Sequence, residues 1–417
     1  MKKIGLFLFG ICFALQMVAQ EQNYFTNPVI RGDVPDPSVI RIEDTYYATG
    51  TSSEWAPFYP MFTSKDLVNW KQVGHVFTKQ PSWTSNSFWA PELFYHNNKV
   101  YCYYTARQKS TGISYIGVAT SDSPLHEFTD HGPIVEYGKE AIDAFIYDDN
   151  GQLYISWKAY GLDTRPIELL GCKLSADGLH LDGEPFTLLV DEKGIGMEGQ
   201  YHFKEGDYYY IVYAAHGCCG PSSDYDVYVA RARNYGGPYE KYSGNPILHG
   251  GEGDYKSCGH GTVVRTSDGR MFYMCHAYLK GDGFFIGRQP ILQEMEMTDN
   301  HWVRFKTGNL AIAEQPIPFV GTKQESLSDF EDNFKGNQLK VDWTWNYPYS
   351  DIHAVLKKGK LFLSGTPKNN NKYGTALCLR PQSPQYSCET KVMNTGKGLK
   401  GLTLYGDDKN LIAWGIE

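Results

Sequence analysis

The sequence predicts an all-β protein, a five-bladed β-propeller followed by a β-sandwich domain that the chain only partly covers. One observation is a unit of apolar strand, short polar turn and aromatic-rich strand that occurs five times. Its aromatic anchors, Tyr47, Tyr101, Tyr154, Tyr209 and Phe272, are 54, 53, 55 and 63 residues apart, a spacing suited to propeller blades. A second is the absence of any long stretch of helical periodicity. A third is composition: 43 Gly, 31 Tyr and 21 Phe among 417 residues suit tight turns and half-buried strands.

Taken in order, the chain opens with Lys2 and Lys3 and the apolar run Ile4 to Val18. This is the pattern of a secretory signal peptide over residues 1–20, with cleavage near Ala19 or Gln20. The run is too short for a membrane-spanning helix, so the expectation is export, to the periplasm or outside the cell, with no membrane span. Residues 21–320 form the propeller. Its hairpin turns are Glu43-Asp44-Thr45, Asn97-Asn98-Lys99, Asp149-Asn150-Gly151, Glu205-Gly206-Asp207 and Ser267-Asp268-Gly269, all rich in residues that accept turn geometry. A third strand follows in most copies, at Met61, Ile116, Leu170 and Val227. After Pro318 the pattern changes: Gly321 to Ser328 reads as a polar linker, and residues 321–417 as the C-terminal sandwich, with alternating strands such as Lys360–Ser364 and Gly401–Tyr405. The last strand pattern reaches Glu417, which reads as a truncated sandwich.

Beyond the signal segment eight cysteines are present, with no zinc-ligand spacing. Their even number permits disulfides. The adjacent pair Cys218-Cys219 reads equally as a vicinal disulfide or as two packed thiols. A formal net charge of −8 gives no basic footprint for nucleic acid.

The functional signal lies in the repeat itself. Asp36, Asp143 and Glu198 each precede the aromatic anchor of their copy by eleven residues, whereas the other two copies have Ala90 and Gly261 at that offset. The first strand of a blade lines the central channel, so equal offsets place three acids at one mouth, beside Trp89 and His260. Each acid alone has an ordinary structural reading as a turn or capping residue. Together they suit hydrolysis of a glycosidic bond. One carboxylic acid protonates the leaving oxygen, a second activates water or attacks the anomeric carbon, and a third tunes the donor. Trp89, His260 and Arg288 are the candidate substrate contacts. No cofactor is required by this chemistry, and a structural Ca2+ is the one metal ion an oxygen-rich cluster would admit.

Val34-Pro-Asp36-Pro-Ser38, Ser64-Lys-Asp-Leu-Val-Asn-Trp70, Trp89-Ala-Pro-Glu92, Ala141-Ile-Asp143 and Met197-Glu198-Gly199 resemble glycoside hydrolase family 43, in the order in which that family carries them. The resemblance spans the propeller region and implies inverting hydrolysis of arabinose- or xylose-containing glycans. It implies that Asp36 is the general base, Glu198 the general acid and Asp143 the residue that modulates and orients the acid, with Arg288 on the substrate. It also implies the appended sandwich, common in exo-acting members. The resulting expectation is an exo-acting enzyme that removes terminal pentose from plant cell-wall glycans, with α-L-arabinofuranose ahead of β-D-xylose. A non-catalytic glycan-binding propeller is the alternative from another class. Fructan hydrolases on a similar propeller would need an Asn-Asp-Pro-Asn start, which is absent.

Overall fold

The computed structural model describes residues 24–160, 166–393, 398–407 and 409–416. The signal-peptide reading of residues 1–20 lies outside them. Five four-stranded antiparallel sheets follow one another along the chain, each in simple meander order. Their first strands are Ser38–Ile42, Trp89–His96, Ala141–Asp149, Glu198–Glu205 and Tyr255–Arg265. The polar turns fall where the sequence places them. Glu43, Asn97, Asn98, Asn150, Gly151, Gly206 and Gly269 all take positive φ there, which explains the Asn and Gly content of these hairpins. The fifth blade also has a third strand, Arg288–Met297, preceded by a single 3-10 turn at Gly281–Ile286.

The hydrophobic clusters show why the sheets form a ring. Each lies between two neighbouring blades: Phe58 and Phe88 join blades one and two, Tyr103 and Trp157 two and three, Leu169 and Ile211 three and four, Tyr210 and Tyr273 four and five. Val39 and Ala48 pack with Phe272 and Met274, closing blade five onto blade one. The ring is also tied by hydrogen bonds, because Tyr24–Thr26 pairs antiparallel with Glu314–Pro316. Blades bury apolar faces on both sides, so their second strands, such as Tyr208–Ala215 and Met271–Leu279, read as nearly continuous apolar runs. The Ser64–Trp70 motif is a turn lock: Asp66 Oδ1 accepts from the Val68 and Asn69 N–H groups, and Trp70 Nε1 donates to the Leu67 carbonyl.

The C-terminal region contributes two antiparallel hairpins, Ser350–Leu356 with Leu361–Pro367 and Lys400–Tyr405 with Leu411–Ile416. Among the described residues no ladder joins them; they are strand pairs of the kind a sandwich is built from. The region is docked on the propeller. Trp345–Asn346 pairs with Trp55–Ala56, and Tyr347 is buried against Phe58 and Phe88 while its hydroxyl donates to the Ser85 carbonyl at 2.8 Å. Arg380 donates to Gln72 of blade one at 2.6 Å.

Candidate active site

Each inner strand carries, or in blade one is preceded by, one residue with left-handed backbone at the same point. These are Asp36 (φ 55°), Ala90 (40°), Asp143 (60°), Gly199 (60°) and His260 (49°). In the first four blades this residue lies six positions before the strand's last hairpin partner, Ile42, His96, Asp149 or Glu205. In blades two to five it falls at a break in the ladder register. The break is a bulge that re-aims the chain at the channel mouth.

This corrects the equal-offset reading. Asp36 and Asp143 are true counterparts, but Glu198 precedes the equivalent position by one residue, and in blade five the counterpart is His260 rather than Gly261. In blade four the residue matching Tyr47 is Tyr210, because Glu205 pairs with Tyr208 at the hairpin. In blade five the connection Thr266 to Arg270 is longer and shifts the count. A one-residue shift changes the face to which a side chain points, so Glu198 reaches the site from a different direction than the two aspartates.

Convergence of the acids holds even so. His260 Nδ1 lies 3.4 Å from Asp36 Oδ1 and 3.8 Å from Asp143 Oδ2. Its ring fills the space that a Cβ on residue 199 would need, 2.6 Å away; glycine there satisfies both the positive φ and this close approach. The Gly199 N–H donates to Asp143 Oδ2 at 3.1 Å, which joins blades three and four at the site.

The three carboxylates have different partners. Asp36 Oδ2 accepts from the Thr51 hydroxyl at 2.6 Å, and Oδ1 lies 3.5 Å from Arg288 Nη1. His276 Nδ1 sits 3.1 Å from the same Oδ1 and 3.2 Å from the Asp36 backbone N. Burial alone would push the Asp36 carboxyl up, but Arg288, His260 and His276 outweigh it and hold it well below the usual carboxylate range. Burial holds His276 down, at about 4. Asp143 has the opposite balance: burial, with Glu198 and Asp36 adding to it, pushes it up to about 6 despite His260 and Lys158. Glu198 is buried too, yet Lys158 and Tyr225 pull its carboxyl down. Lys158 Nζ donates to Oε2 at 2.6 Å, and the Tyr225 hydroxyl donates to Oε1 at 2.9 Å.

Of the predicted substrate contacts, Arg288 and His260 stand directly on the acids. Trp89, half-buried, lies beside the left-handed Ala90 with the Arg107 guanidinium 5.7 Å from its ring. Lys158, Tyr225, His276, Thr51 and Asp33, whose Oδ1 accepts from the Arg288 N–H, were missed in the sequence. Lys158 and His276 did leave a signal, Lys158 as the one charged residue in the strand Gln152–Ala159 and His276 as the one ionisable imidazole in the apolar strand Met271–Leu279. Tyr225 left none among 31 tyrosines. Among the described residues no group of three His, Cys, Asp or Glu side chains is placed to hold a metal ion.

The loop that carries Tyr225 into the site also contains Cys218 and Cys219, which form a vicinal disulfide. Cys102, Cys172, Cys258 and Cys275 are buried free thiols.

A five-bladed propeller with differently tuned acids gathered at one mouth defines a glycoside-hydrolase type of protein. Residues 25–303 match the glycosyl hydrolases family 43, and the chain belongs to that family. It is 28% identical to a xylan 1,3-beta-xylosidase of a Vibrio species, over 91% of this chain and 76% of that protein. It is also 28% identical to a non-reducing end alpha-L-arabinofuranosidase of Bacteroides ovatus, over 98% of this chain and 78% of that protein. Among solved structures, a family member retrieved from a capybara gut metagenome superposes with a TM-score of 0.77 at 21% identity, covering 95% of this chain and 78% of that one. That likeness speaks for the fold.

Proposed function

We propose that the protein is an exported, inverting exo-glycosidase that removes terminal pentose, with α-L-arabinofuranose favoured, from plant cell-wall polysaccharides or their oligosaccharides. The observation that carries this reading is the division of environments among three converging carboxylates. Asp36, ringed by Arg288, His260 and His276, stays ionised and suits a general base that takes a proton from water as its oxygen attacks the anomeric carbon. Glu198, on the other side, donates a proton to the glycosidic oxygen as the C–O bond breaks. Asp143, bonded to the Gly199 N–H next to Glu198, raises the cost of a second negative charge and so opposes the downward pull of Lys158 and Tyr225 on Glu198, leaving one proton shared by the pair for delivery through Glu198. Arg288 and His260 orient Asp36, and Trp89 offers a ring face to the sugar.

β-D-Xylose is the second reading, because relatives of similar identity bear both names. Release of nitrophenol from aryl α-L-arabinofuranoside and aryl β-D-xyloside, measured side by side, separates the two. Proton NMR of the first-formed sugar tests inversion, and a product that retains the substrate's anomeric configuration would refute it. No turnover of either glycoside or of any pentose polymer would favour a glycan-binding propeller instead. Export is tested by fractionation: a cytosolic mature protein would end that part of the proposal.

A further inference from the structure

Lys158 lies on the second strand of blade three, Gln152–Ala159, and reaches across to the acid of blade four. Its side chain is 5% exposed and that of Glu198 16%, so water screens this ion pair weakly. Both Glu198 oxygens accept from a defined donor, Lys158 on Oε2 and Tyr225 on Oε1. With two donors on two oxygens, the carboxyl plane has one orientation.

We infer that Lys158 is a positioning residue for Glu198, whose ammonium fixes the direction of the carboxyl and governs its charge. The inference rests on the assignment of Glu198 as the general acid. Groups from every neighbouring element bear on the pair. Asp143 and Glu140 face Lys158; Tyr225 and His260 act on Glu198; Asp36 acts on Asp143 and is itself held by Arg288. In this set Lys158 is the cation in direct contact with Glu198, and Asp143 is the opposing anion. The two set how firmly Glu198 holds its proton, with Lys158 favouring release and Asp143 retention. A fully retained proton would make a weak acid catalyst and a fully released one none.

The test is Lys158→Met, with Lys158→Gln as a second charge-free variant should the first fail to fold. Each is compared with Lys158→Arg in pH profiles of kcat/KM on an aryl glycoside and on an unactivated oligosaccharide. Loss of the cation raises the acid's pKa, so the alkaline limb should move up by about 1 to 3 pH units. The loss in kcat should be larger for the oligosaccharide, whose leaving group needs the proton. Lys158→Arg should keep the limb close to wild type. A folded charge-free variant with an unmoved limb and equal losses on both substrates would overturn the inference, leaving Lys158 a structural countercharge. Glu198→Gln separates this from failure of the assignment itself: undiminished turnover of the oligosaccharide by that variant would remove Glu198 as the acid.

Discussion

Asp36 and Asp143 occupy equivalent points on two blades and share a backbone conformation, yet their surroundings drive their carboxyls in opposite directions. The Arg288 guanidinium and the imidazoles of His260 and His276, all from blade five, face Asp36, whereas Asp143 has burial and two acidic neighbours against it. Asp36→Asn should therefore cost about 10²–10⁴-fold in kcat and also lower the thermal midpoint at pH 7, because Arg288 is left buried without its carboxylate; undiminished turnover would exclude Asp36 as base. Asp143 has a stability signature of its own. Its folded pKa, at about 6, lies above the ordinary 3.8, so its contribution to stability is present at low pH and is lost as pH rises from about 4 through about 6. Asp143→Asn should abolish that loss, making the variant more stable than wild type at pH 7 by on the order of 1–3 kcal/mol while activity falls. Denaturant melts at pH 4 and pH 7 measure this, and equal differences at both pH values would contradict it.

At the scale of the element, the site is built by the left-handed residue at the mouth of each blade, which in blades two to five sits at a bulge of the inner strand. Left-handed backbone at a non-glycine residue costs of order 1–3 kcal/mol, and it occurs at the same point in blades one, two, three and five. Blade four meets the requirement with Gly199, which also makes room for the His260 ring. Gly199→Ala should destabilise the protein by roughly 1–3 kcal/mol and displace His260 from between the two aspartates. The measured outcome is a lower midpoint together with a fall in kcat. A fall in stability alone, with kcat intact, would show that the position of His260 is not needed. The bulge also explains why a lone lysine serves this site: Glu198, one residue before its blade's left-handed position, faces Lys158 on the neighbouring sheet.

On the scale of the whole molecule, closure of the ring brings together residues far apart in sequence. Asp36 and His276 are separated by 240 positions and meet because blade five packs on blade one through Val39, Ala48, Phe272 and Met274. The C-terminal region belongs to this assembly, anchored by Tyr347 edge-on against the stacked rings of Phe58 and Phe88, beside the two loops that the Ser87–Glu54 hydrogen bond joins. Tyr347→Ala removes a buried ring of the kind that costs about 3–5 kcal/mol. It should loosen the C-terminal hairpins from the propeller, seen as faster proteolysis between residues 320 and 345. Unchanged cleavage would mean that the Trp345–Asn346 pairing suffices.

The sequence by itself determined the number of blades and the places of the hairpin turns, and it pointed to three acids that the ring brings to one mouth. Those features are local: turn residues, apolar runs and short motifs act within one blade, and a period repeated five times is visible without knowing the contacts. What only the tertiary structure decided is how the acids differ. Counting from an aromatic anchor treated Glu198 as a third equivalent acid and Gly261 as the fifth counterpart, and the hairpin register showed otherwise. The partners that tune each carboxyl, Lys158, Tyr225, His276 and Thr51, come from other strands or other blades and become neighbours only when the ring closes. Electrostatic tuning falls off with distance in space, not along the chain, and so the residues that give each acid its character could not be read in the order in which they are written.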